Sequence, residues 1–162
     1  MEQTSDKVGV PGWAESIGAT EEEVRAAWED LARRGLAGVD DGEATVSALA
    51  MRRATSDVQR RLASHLSGYL PTDNAYIVRR AGDPPGSPQI LDTRIFVQYI
   101  ANYFRNGWGV TAIEADLQIL TRDEIEAAIQ YYLNHRAEIE QDIQRTRDIY
   151  EAHVRARERI AA

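Results

Sequence analysis

The stretch from Gly86 to Tyr132 most constrains what this chain can fold into, because three helical patterns follow one another there with only tight turns between them. The first pattern predicts a helix that starts at Asp92-Thr93 and stops at Asn106-Gly107. Its apolar residues recur at the spacing of one helix face: Val97, Ile100, Ala101 and Phe104.

Two Thr-x-x-Glu capping boxes predict the next two helices. In such a box the threonine hydroxyl accepts a backbone N–H of the first turn, and the glutamate carboxylate accepts the N–H of the threonine. The box Thr111–Glu114 predicts a short helix, and the box Thr121–Glu124 predicts a longer one. Their predicted buried residues are Ile113, Leu117, Ile125, Ala128, Ile129 and Tyr132. Three helices joined by tight turns can close one small core, which is a helix-turn-helix arrangement.

The segment from Gly86 to Val97 reads GSPQILDTRIFV. It resembles the core GGKPVIKGTRIPV of a VapB-type antitoxin-like family that is catalogued as domain of unknown function 433. The matching positions are Gly86, Pro88, Ile90, Thr93, Arg94, Ile95 and Val97, and downstream Gly107, Leu120-Thr121 and the run from Ala127 to Tyr132 also match. The chain departs from the family pattern at Pro85, Ser87, Asp92 and Phe96, where the family usually has glycine in place of Asp92.

The resemblance covers residues 77–139 and implies a homeodomain-like helical module without catalytic activity. Proteins of this family are encoded beside PIN-like ribonuclease toxins and are thought to act as antitoxins and operator binders, so the resemblance implies a toxin and duplex DNA as partners. We interpret four motif residues as structural: Gly86, Pro88, Thr93 and Arg94. In this interpretation the Thr93 hydroxyl starts the helix, and Arg94 binds a neighbouring carboxylate or carbonyl.

The composition limits the class of protein. With 162 residues, of which 43% are hydrophobic and 28% charged, the chain can form one domain or two small ones. It has no cysteine, no signal-peptide pattern and no apolar run near the roughly 20 residues of a spanning helix, so we predict a cytoplasmic protein with no membrane partner. The net charge of −7 disfavours broad capture of nucleic acid unless the bases are gathered on one face.

A second helix-turn-helix pattern follows a polar lead-in, residues 1–12, that we predict to be mobile. Structure is predicted to begin at Trp13, and the box Thr20–Glu23 opens a helix that is followed by a hairpin with an Asp-Gly turn. Residues 13–46 thus resemble a winged helix-turn-helix. Its candidate reading helix begins with three glutamates, which the phosphate charges of duplex DNA would repel.

Residues 47–70 predict one amphipathic helix that links the two modules and is the most basic part of the chain. It carries Arg52, Arg53, Arg60 and Arg61 against Asp57 alone. We predict that these four arginines, together with Arg122, are the nucleic-acid-binding residues if any surface meets phosphate. The alternative is a solvated helix face that balances the acidic N-terminal module.

From Arg122 to Ile160 the sequence has neither proline nor glycine, which predicts one long helix. Its apolar ladder continues beyond what a three-helix module needs and would be left in water unless another helix covered it. We predict that the helix dimerises or docks through Ile139, Ile143, Tyr150, Val154, Arg155 and Arg157. Two other interpretations are contact of the Arg-rich end with an acidic toxin site and a frayed, solvated tail.

The sequence offers little site chemistry. His65, His135 and His153 are too far apart along the chain to share a metal, and no phosphate-binding loop or nucleophile signature is present. We therefore predict no metal, no cofactor, no small-molecule substrate and no enzymatic activity.

Together these patterns predict a mainly α fold with two helix-turn-helix-like three-helix modules, a basic linker helix, a long C-terminal helix and one or two short β-hairpins. The predicted segments are 1–12, 13–46, 47–70, 71–135 and 136–162. The leading functional hypothesis is an antitoxin-like regulator, a homodimer that binds a PIN-like toxin, with duplex operator DNA as a second candidate partner. The alternatives are a homo-oligomeric adaptor or scaffold and a stand-alone transcription factor.

Overall fold

The computed structural model describes residues 9–82 and 84–161, and it confirms the predicted mainly α class. The chain divides into two compact units, Met1–Gly86 and Ser87–Ala162. Residues 1–8 of the predicted lead-in lie outside the described residues. The first helix begins at Val10, before the predicted start at Trp13.

In the first unit, helices α1, α2 and α4 pack against one another, and α2 is followed by a two-stranded wing. The elements are α1 (Val10–Ile17), α2 (Glu21–Arg33), β1 (Ala37–Asp40), β2 (Glu43–Val46), α3 (Leu49–Arg53), α4 (Asp57–Ser67), β3 (Tyr69–Pro71) and β4 (Ile77–Arg80). The core contains Val24, Leu31 and Leu62, none of which is exposed to solvent. Strands β1 and β2 are antiparallel, and so are β3 and β4.

The start of α2 and the wing are both as predicted. The Glu23 N–H donates to the Thr20 hydroxyl at 3.2 Å, and the Thr20 N–H donates to the Glu23 carboxylate at 2.8 Å. At the wing tip, Asp41 and Gly42 have φ of 48° and 85°. This is the backbone that a two-residue hairpin turn requires, and Asp-Gly tolerates it better than most pairs.

The predicted single helix over residues 47–70 is wrong, because the structure has two helices, α3 and α4, separated by Ala54–Ser56. Ser56 caps α4 by accepting the N–H of Gln59 at 3.2 Å, and the Gln59 side chain accepts the N–H of Thr55 at 2.8 Å. Side chains that satisfy these N–H groups compete with a continuous helix. Helix α4 packs on α1 and α2, so this stretch contributes to the core of the first unit instead of linking two modules.

In the second unit, α5 and α7 pack together, and α8 packs against both. The elements are β5 (Gln89–Ile90), α5 (Val97–Arg105), α6 (Val110–Asp116), α7 (Arg122–Asn134) and α8 (Arg136–Ala161). The fully buried residues include Ile100, Ile113, Ile125 and Ile139. The capping box of α7 is as predicted: the Glu124 N–H donates to the Thr121 hydroxyl at 3.3 Å, and the Thr121 N–H donates to the Glu124 carboxylate at 2.7 Å.

The predicted helix start at Asp92-Thr93 is wrong, because α5 begins only at Val97. The Thr93 hydroxyl instead donates to the carbonyl of Ile90 at 2.8 Å and accepts the N–H of Ile95 at 3.0 Å, which closes a turn. Asp92 in this turn has a φ of 62°. Glycine adopts that conformation without a Cβ penalty, which accounts for the glycine of the family pattern at this position.

Two further predicted helix boundaries are wrong. Helix α6 begins at Val110, because Gly109 already has the extended backbone of an N-cap, so Thr111 does not cap it. The predicted continuous helix from Arg122 to Ile160 is interrupted between α7 and α8 at His135, whose φ and ψ of −123° and 36° are not helical. The His135 ring stacks on Tyr131, with the centroids 4.2 Å apart.

Candidate functional site

The predicted phosphate-binding arginines of the first unit fall into two pairs. Arg52 lies over the ring of Tyr76 at 4.8 Å. Arg61 donates from Nη1 to the carbonyl of Ile17 at 2.5 Å, and its Nε lies 2.9 Å from the Asp57 carboxylate. Because Arg61 binds a carbonyl at the C-terminal end of α1, it stabilises that helix end. These two arginines are therefore engaged inside the unit.

The other pair, Arg53 and Arg60, is exposed. Neither guanidinium forms a hydrogen bond or ion pair with the described residues. Arg60 borders an open cavity of about 510 Å³. The basic surface of the first unit is thus smaller than the sequence indicates.

Neither candidate reading helix presents a basic surface. In α2, Glu21 and Glu22 are exposed, while hydrogen bonds from Thr20, chiefly from its backbone N–H, lower the pKa of Glu23. In α7, the Arg122 Nε lies 3.0 Å from the Glu126 carboxylate. Its Nη1 lies 3.8 Å from the Glu114 carboxylate. The face of each helix that would enter a groove is therefore acidic or neutralised.

Three of the four family-motif residues make backbone or close-packing contacts within their own unit. At Gly86, a Cβ would lie 3.3 Å from the Arg80 Cβ, and the Gly86 carbonyl accepts from Arg79 Nη1 at 3.1 Å. The Pro88 carbonyl accepts the Val97 N–H at 2.9 Å and so holds the start of α5. Thr93 closes the turn described above.

Arg94, the fourth motif residue, does not bind the neighbouring carboxylate or carbonyl that was predicted. Its side chain is exposed and forms no hydrogen bond or ion pair with the described residues. It borders a groove of about 370 Å³ in the second unit, and the remaining lining residues are Ile95, Tyr99, Tyr103 and Leu117. We call this the Arg94 groove. Its aromatic residues had been assigned to no site by sequence reasoning.

The first half of α8 is held inside the second unit. Ile139 and Ile143, which were predicted to face a partner, are buried, because α8 packs against α5 and α7. The Glu140 carboxylate accepts the Tyr132 hydroxyl at 2.7 Å and lies 3.3 Å from Arg105 Nε. Burial, with a further contribution from this hydrogen bond, raises the pKa of Tyr132. The premise that the apolar ladder is uncovered is therefore wrong for Ile139 and Ile143.

The second half of α8, residues 144–161, carries the rest of the predicted partner-binding set, and we call it the α8 extension. Tyr150 is 69% exposed, Val154 is half-buried, and Arg155 and Arg157 are exposed. Ile149, which sequence reasoning passed over, is 55% exposed, and Ile160 is 89% exposed. A helical projection of residues 144–161 could have identified Ile149, because it places Ile149 on the same side of the helix as Ile160.

Thr146 lies near the end of the part of α8 that packs against α5. The Gln98 side chain donates to the Thr146 hydroxyl at 3.1 Å, and this is the last cross-helix hydrogen bond that we find along α8 in the described part of the chain. A shallow groove of about 260 Å³ lies here between α5 and α8, with Tyr99 and Tyr150 at its border.

Two general properties limit the chemistry of these surfaces. Within residues 9–82 and 84–161, no three His, Asp or Glu side chains are grouped so that they could hold a metal ion. In the same residues, no helix combines the length and the apolar character needed to cross a lipid bilayer. The surfaces that stand out are thus built from arginine, aromatic and aliphatic side chains.

The fold defines a mainly α protein that consists of two compact helical units. Residues 84–132 match the model of a family described as "Protein of unknown function (DUF433)". The match confirms the domain family for that segment, which contains the turn at Thr93 and helices α5, α6 and most of α7. No curated protein and no solved structure matches the chain.

Proposed function

We propose that this chain is an antitoxin-like regulatory protein that binds a partner protein through the α8 extension. The observation that carries the proposal is that α8 continues well past its last fully packed turn. Ile143 is the last buried residue of the helix, and residues 144–161 extend about 27 Å beyond it at 1.5 Å per residue. A helix of this length without tertiary packing is marginally stable in water, so a partner that covers it would stabilise it.

The α8 extension is amphipathic. With about 100° of rotation per residue, Ile149, Tyr150, Val154 and Ile160 lie on one side of the helix, together with His153 and Arg157. The opposite side carries Arg147, Asp148, Glu151, Arg155, Glu158 and Arg159. Exposed apolar side chains gathered on one face are typical of protein-interaction sites. The apolar face is therefore the candidate contact surface.

The charge of the α8 extension supports an acidic partner. It contains five arginines and three acids, a local charge of +2 in a chain whose net charge is −7. Guanidinium groups bind carboxylates with two parallel hydrogen bonds, so a cluster of arginines fits an acidic cleft. The resemblance to antitoxin-like proteins supplies the identity of the partner in this proposal, a PIN-like ribonuclease toxin.

The first test is whether the neighbouring reading frame encodes a PIN-like ribonuclease, and the second is inhibition of that enzyme by this chain. The variant should end at Arg147, because a chain ending at Asn134 would also remove the buried Ile139 and Ile143 and would unfold the second unit. We expect the full chain to co-purify with the ribonuclease and inhibit it, and the shortened chain to lose both properties while its thermal unfolding is preserved. Equal inhibition by the shortened chain would disprove the role of the α8 extension.

The homo-oligomeric adaptor is the second candidate, and the same exposed face supports it, since two copies could cover each other's Ile149, Tyr150, Val154 and Ile160. Light scattering on the full and shortened chains separates the two functions. A dimer that becomes a monomer on shortening, without any inhibition of a ribonuclease, would favour the adaptor.

Duplex DNA is the remaining candidate partner, and Arg53 and Arg60 support it because they are exposed and unpaired among the described residues. Each neutralised phosphate contributes about 0.9 to the log–log salt slope, so two contacts predict a slope near −1.8 instead of about −3.6 for four. We expect Arg53→Ala/Arg60→Ala to abolish the slope, and Arg52→Ala/Arg61→Ala to leave it unchanged at temperatures where that variant is folded.

A further inference from the structure

The Arg94 groove has the dimensions of a ligand site. It encloses about 370 Å³ within the second unit, and its lining consists of Ile95, Tyr99, Tyr103 and Leu117 apart from Arg94 itself. Binding clefts usually measure about 300–1,000 Å³ and combine apolar walls with a few polar groups. The arrangement of one cation beside aromatic and aliphatic walls is therefore chemically suited to a ligand with both an anionic and an apolar part.

The aromatic wall of the groove is held in place. The Tyr103 hydroxyl donates a hydrogen bond to the Asp116 carboxylate, and this bond raises the pKa of Tyr103. The Trp108 ring packs edge-on against the Tyr103 ring at 5.0 Å. Gly107, with a φ of 85°, makes the turn that brings Trp108 to this position. A side chain fixed in this way loses little entropy when a ligand binds.

Arg94 is presented by an ordered turn. The Thr93 hydroxyl bonds to the backbone on both sides of the turn, at Ile90 and Ile95, so the backbone of Arg94 is fixed although its side chain is exposed. Its guanidinium is the one charged group that lines the groove, and among the described residues it has no hydrogen-bond or ion-pair partner. Two carboxylates are candidates to pair with Arg94: Asp92, two residues earlier in the chain, and Asp116, which accepts the Tyr103 hydroxyl. Neither forms an ion pair with Arg94.

The exposed residues around the groove are of the types that dominate binding energy at protein interfaces. Tyr99 is 55% exposed and Trp108 is 41% exposed, although both are large aromatic side chains. Tryptophan, tyrosine and arginine are the residues most enriched among interface hot spots. Tyr99 also borders the groove between α5 and α8, so the two apolar surfaces of the second unit are continuous.

We propose that the Arg94 groove binds a segment of a partner protein in which a carboxylate lies beside a large apolar side chain. The carboxylate pairs with Arg94, and the apolar side chain fills the space between Tyr99, Tyr103 and Leu117. A protein segment fits better than DNA, because most of the lining is apolar and phosphate contacts need clustered bases. This surface goes beyond the proposed function, since peptide binding here does not require the α8 extension.

The experiment is a nuclear magnetic resonance titration of the full chain with two synthetic hexapeptides, both N-acetylated and C-amidated so that neither carries a terminal carboxylate. One has a Phe-Leu centre flanked by glutamates, and the other has lysines in place of those glutamates. The Trp108 indole N–H reports on the groove, while the indoles of Trp13 and Trp28 in the first unit serve as internal controls. We expect saturable shifts at Trp108 with the glutamate peptide and none with the lysine peptide.

The variants separate recognition from folding. We expect Arg94→Glu to weaken binding of the glutamate peptide at least tenfold and Arg94→Lys to weaken it less, because lysine keeps the charge but loses the paired geometry. Arg53→Glu, a matched charge reversal at an exposed arginine of the first unit, should leave the affinity unchanged. The shortened chain that ends at Arg147 should also bind as tightly as the full chain, whatever its effect on ribonuclease inhibition.

Several results would overturn the proposal. Equal affinity of both peptides, or an affinity unchanged by Arg94→Glu, would mean that the groove does not recognise a carboxylate. Shifts at Trp108 that grow with protein concentration alone and vanish in Arg94→Glu would assign the groove to a second copy of this chain. Shifts at Trp108 on addition of duplex DNA, lost in the same variant, would assign it to nucleic acid.

Discussion

Helices α2 and α7 have the same length and the same type of N-terminal cap, but they lie in different surroundings. Each has 13 residues and begins with a complete Thr-x-x-Glu box. The residue directly after the glutamate of the box is a fully buried aliphatic residue in both helices, Val24 in α2 and Ile125 in α7. In both helices the buried residues continue at the same spacing, as Ala27, Trp28 and Leu31 in α2 and as Ala128, Ile129 and Tyr132 in α7. Helix α2 differs in that polar side chains also tie it to α4.

The polar tie of α2 centres on Gln59, which is only 4% exposed. Its amide donates to the Asp30 carboxylate at 2.8 Å, and its carbonyl oxygen accepts the Thr55 N–H at 2.8 Å. Asp30 is also bound by Arg34 at 3.2 Å. The comparison shows that a capping box determines where a helix starts, while the residues that follow determine whether a polar network is added to the apolar packing.

The largest expected effect compares the apolar anchors of the two helices. Ile125→Ala should lower the free energy of unfolding by about 2–5 kcal/mol, because it leaves a cavity in a packed core. Val24→Ala removes one carbon fewer, a difference of about 0.8 kcal/mol, so its effect should be smaller. Urea unfolding measures the totals, and native-state hydrogen exchange shows which helix amides lose protection.

Ile160→Ala is the matched control for these two substitutions, since Ile160 is 89% exposed. It should change the free energy of unfolding of the monomer by less than about 0.5 kcal/mol. If Ile125→Ala were equally harmless, α7 would not be held by apolar packing, and the comparison with α2 would fail.

The next effect tests the polar tie. Gln59→Ala should cost about 1–3 kcal/mol, because it leaves the Thr55 N–H without its partner in a half-buried site. Hydrogen bonds from Gln59 and then from Arg34 lower the pKa of Asp30. A carboxyl group whose pKa is lowered on folding stabilises the fold at pH values above its unfolded-state pKa of about 3.9. This stabilisation is lost as the pH falls through the folded-state pKa.

Stability measured between pH 7 and pH 2 should therefore fall less steeply in Asp30→Asn than in the parent chain. Gln130→Ala in α7 is the control for Gln59→Ala, because Gln130 is exposed and, among the described residues, bonds only to Asn134 of its own helix. Identical acid profiles for Asp30→Asn and the parent would show that the network of α2 carries no net stabilisation.

A smaller effect distinguishes two neighbouring residues of the family motif. Thr93→Ala should cost about 1 kcal/mol, because the Ile95 N–H loses its acceptor. Arg94→Ala should stay within about 0.5 kcal/mol, because its side chain is exposed and unpaired among the described residues. Thermal unfolding of both variants decides this, and a stability loss at Arg94 that matches Thr93 would mean that the arginine is structural too.

Thr93 also shows how far local sequence patterns reach. The boxes at Thr20 and Thr121 were predicted with their bonding partners, because both partners lie within one turn of the chain. Thr93 and Thr111 were also predicted to start helices, but Asp92 has a left-handed backbone and Gly109 already provides the N-cap of α6. A threonine hydroxyl can close a turn as well as a helix, and the neighbouring backbone decides which of these forms.

The sequence predicted exposed residues correctly only where no second helix packs against them. The apolar ladder of α8 was visible in the sequence, yet Ile139 and Ile143 belong to the core, because α5 and α7 lie against that part of the helix. Arg61 was predicted to bind phosphate, but its guanidinium donates a hydrogen bond to the carbonyl of Ile17 at the C-terminal end of α1. The Arg94 groove combines a turn with residues of α5 and the end of α6, so no local pattern could reveal it.

The smallest effect is the difference between the two capping boxes. Thr20→Ala and Thr121→Ala should each cost about 1 kcal/mol, because each removes the acceptor for one N–H of the first turn. The N–H to hydroxyl bonds have nearly equal lengths, 3.2 Å at Thr20 and 3.3 Å at Thr121, but the Thr20 hydroxyl also donates to the Glu23 carboxylate at 2.9 Å. Thr20→Ala should therefore cost slightly more at neutral pH, by less than about 1 kcal/mol. Thr20→Ala should cost less at pH 3 than at pH 7. The pKa of Glu23 is lowered first by the Thr20 backbone N–H, which alanine keeps, and then by the Thr20 hydroxyl, whose contribution is lost in the variant and also disappears when Glu23 is protonated. Thermal unfolding of both variants at pH 7 and pH 3 measures this, and a gap larger than 1 kcal/mol at pH 7 would mean that the two boxes are not equivalent and that their surroundings govern even the helix start.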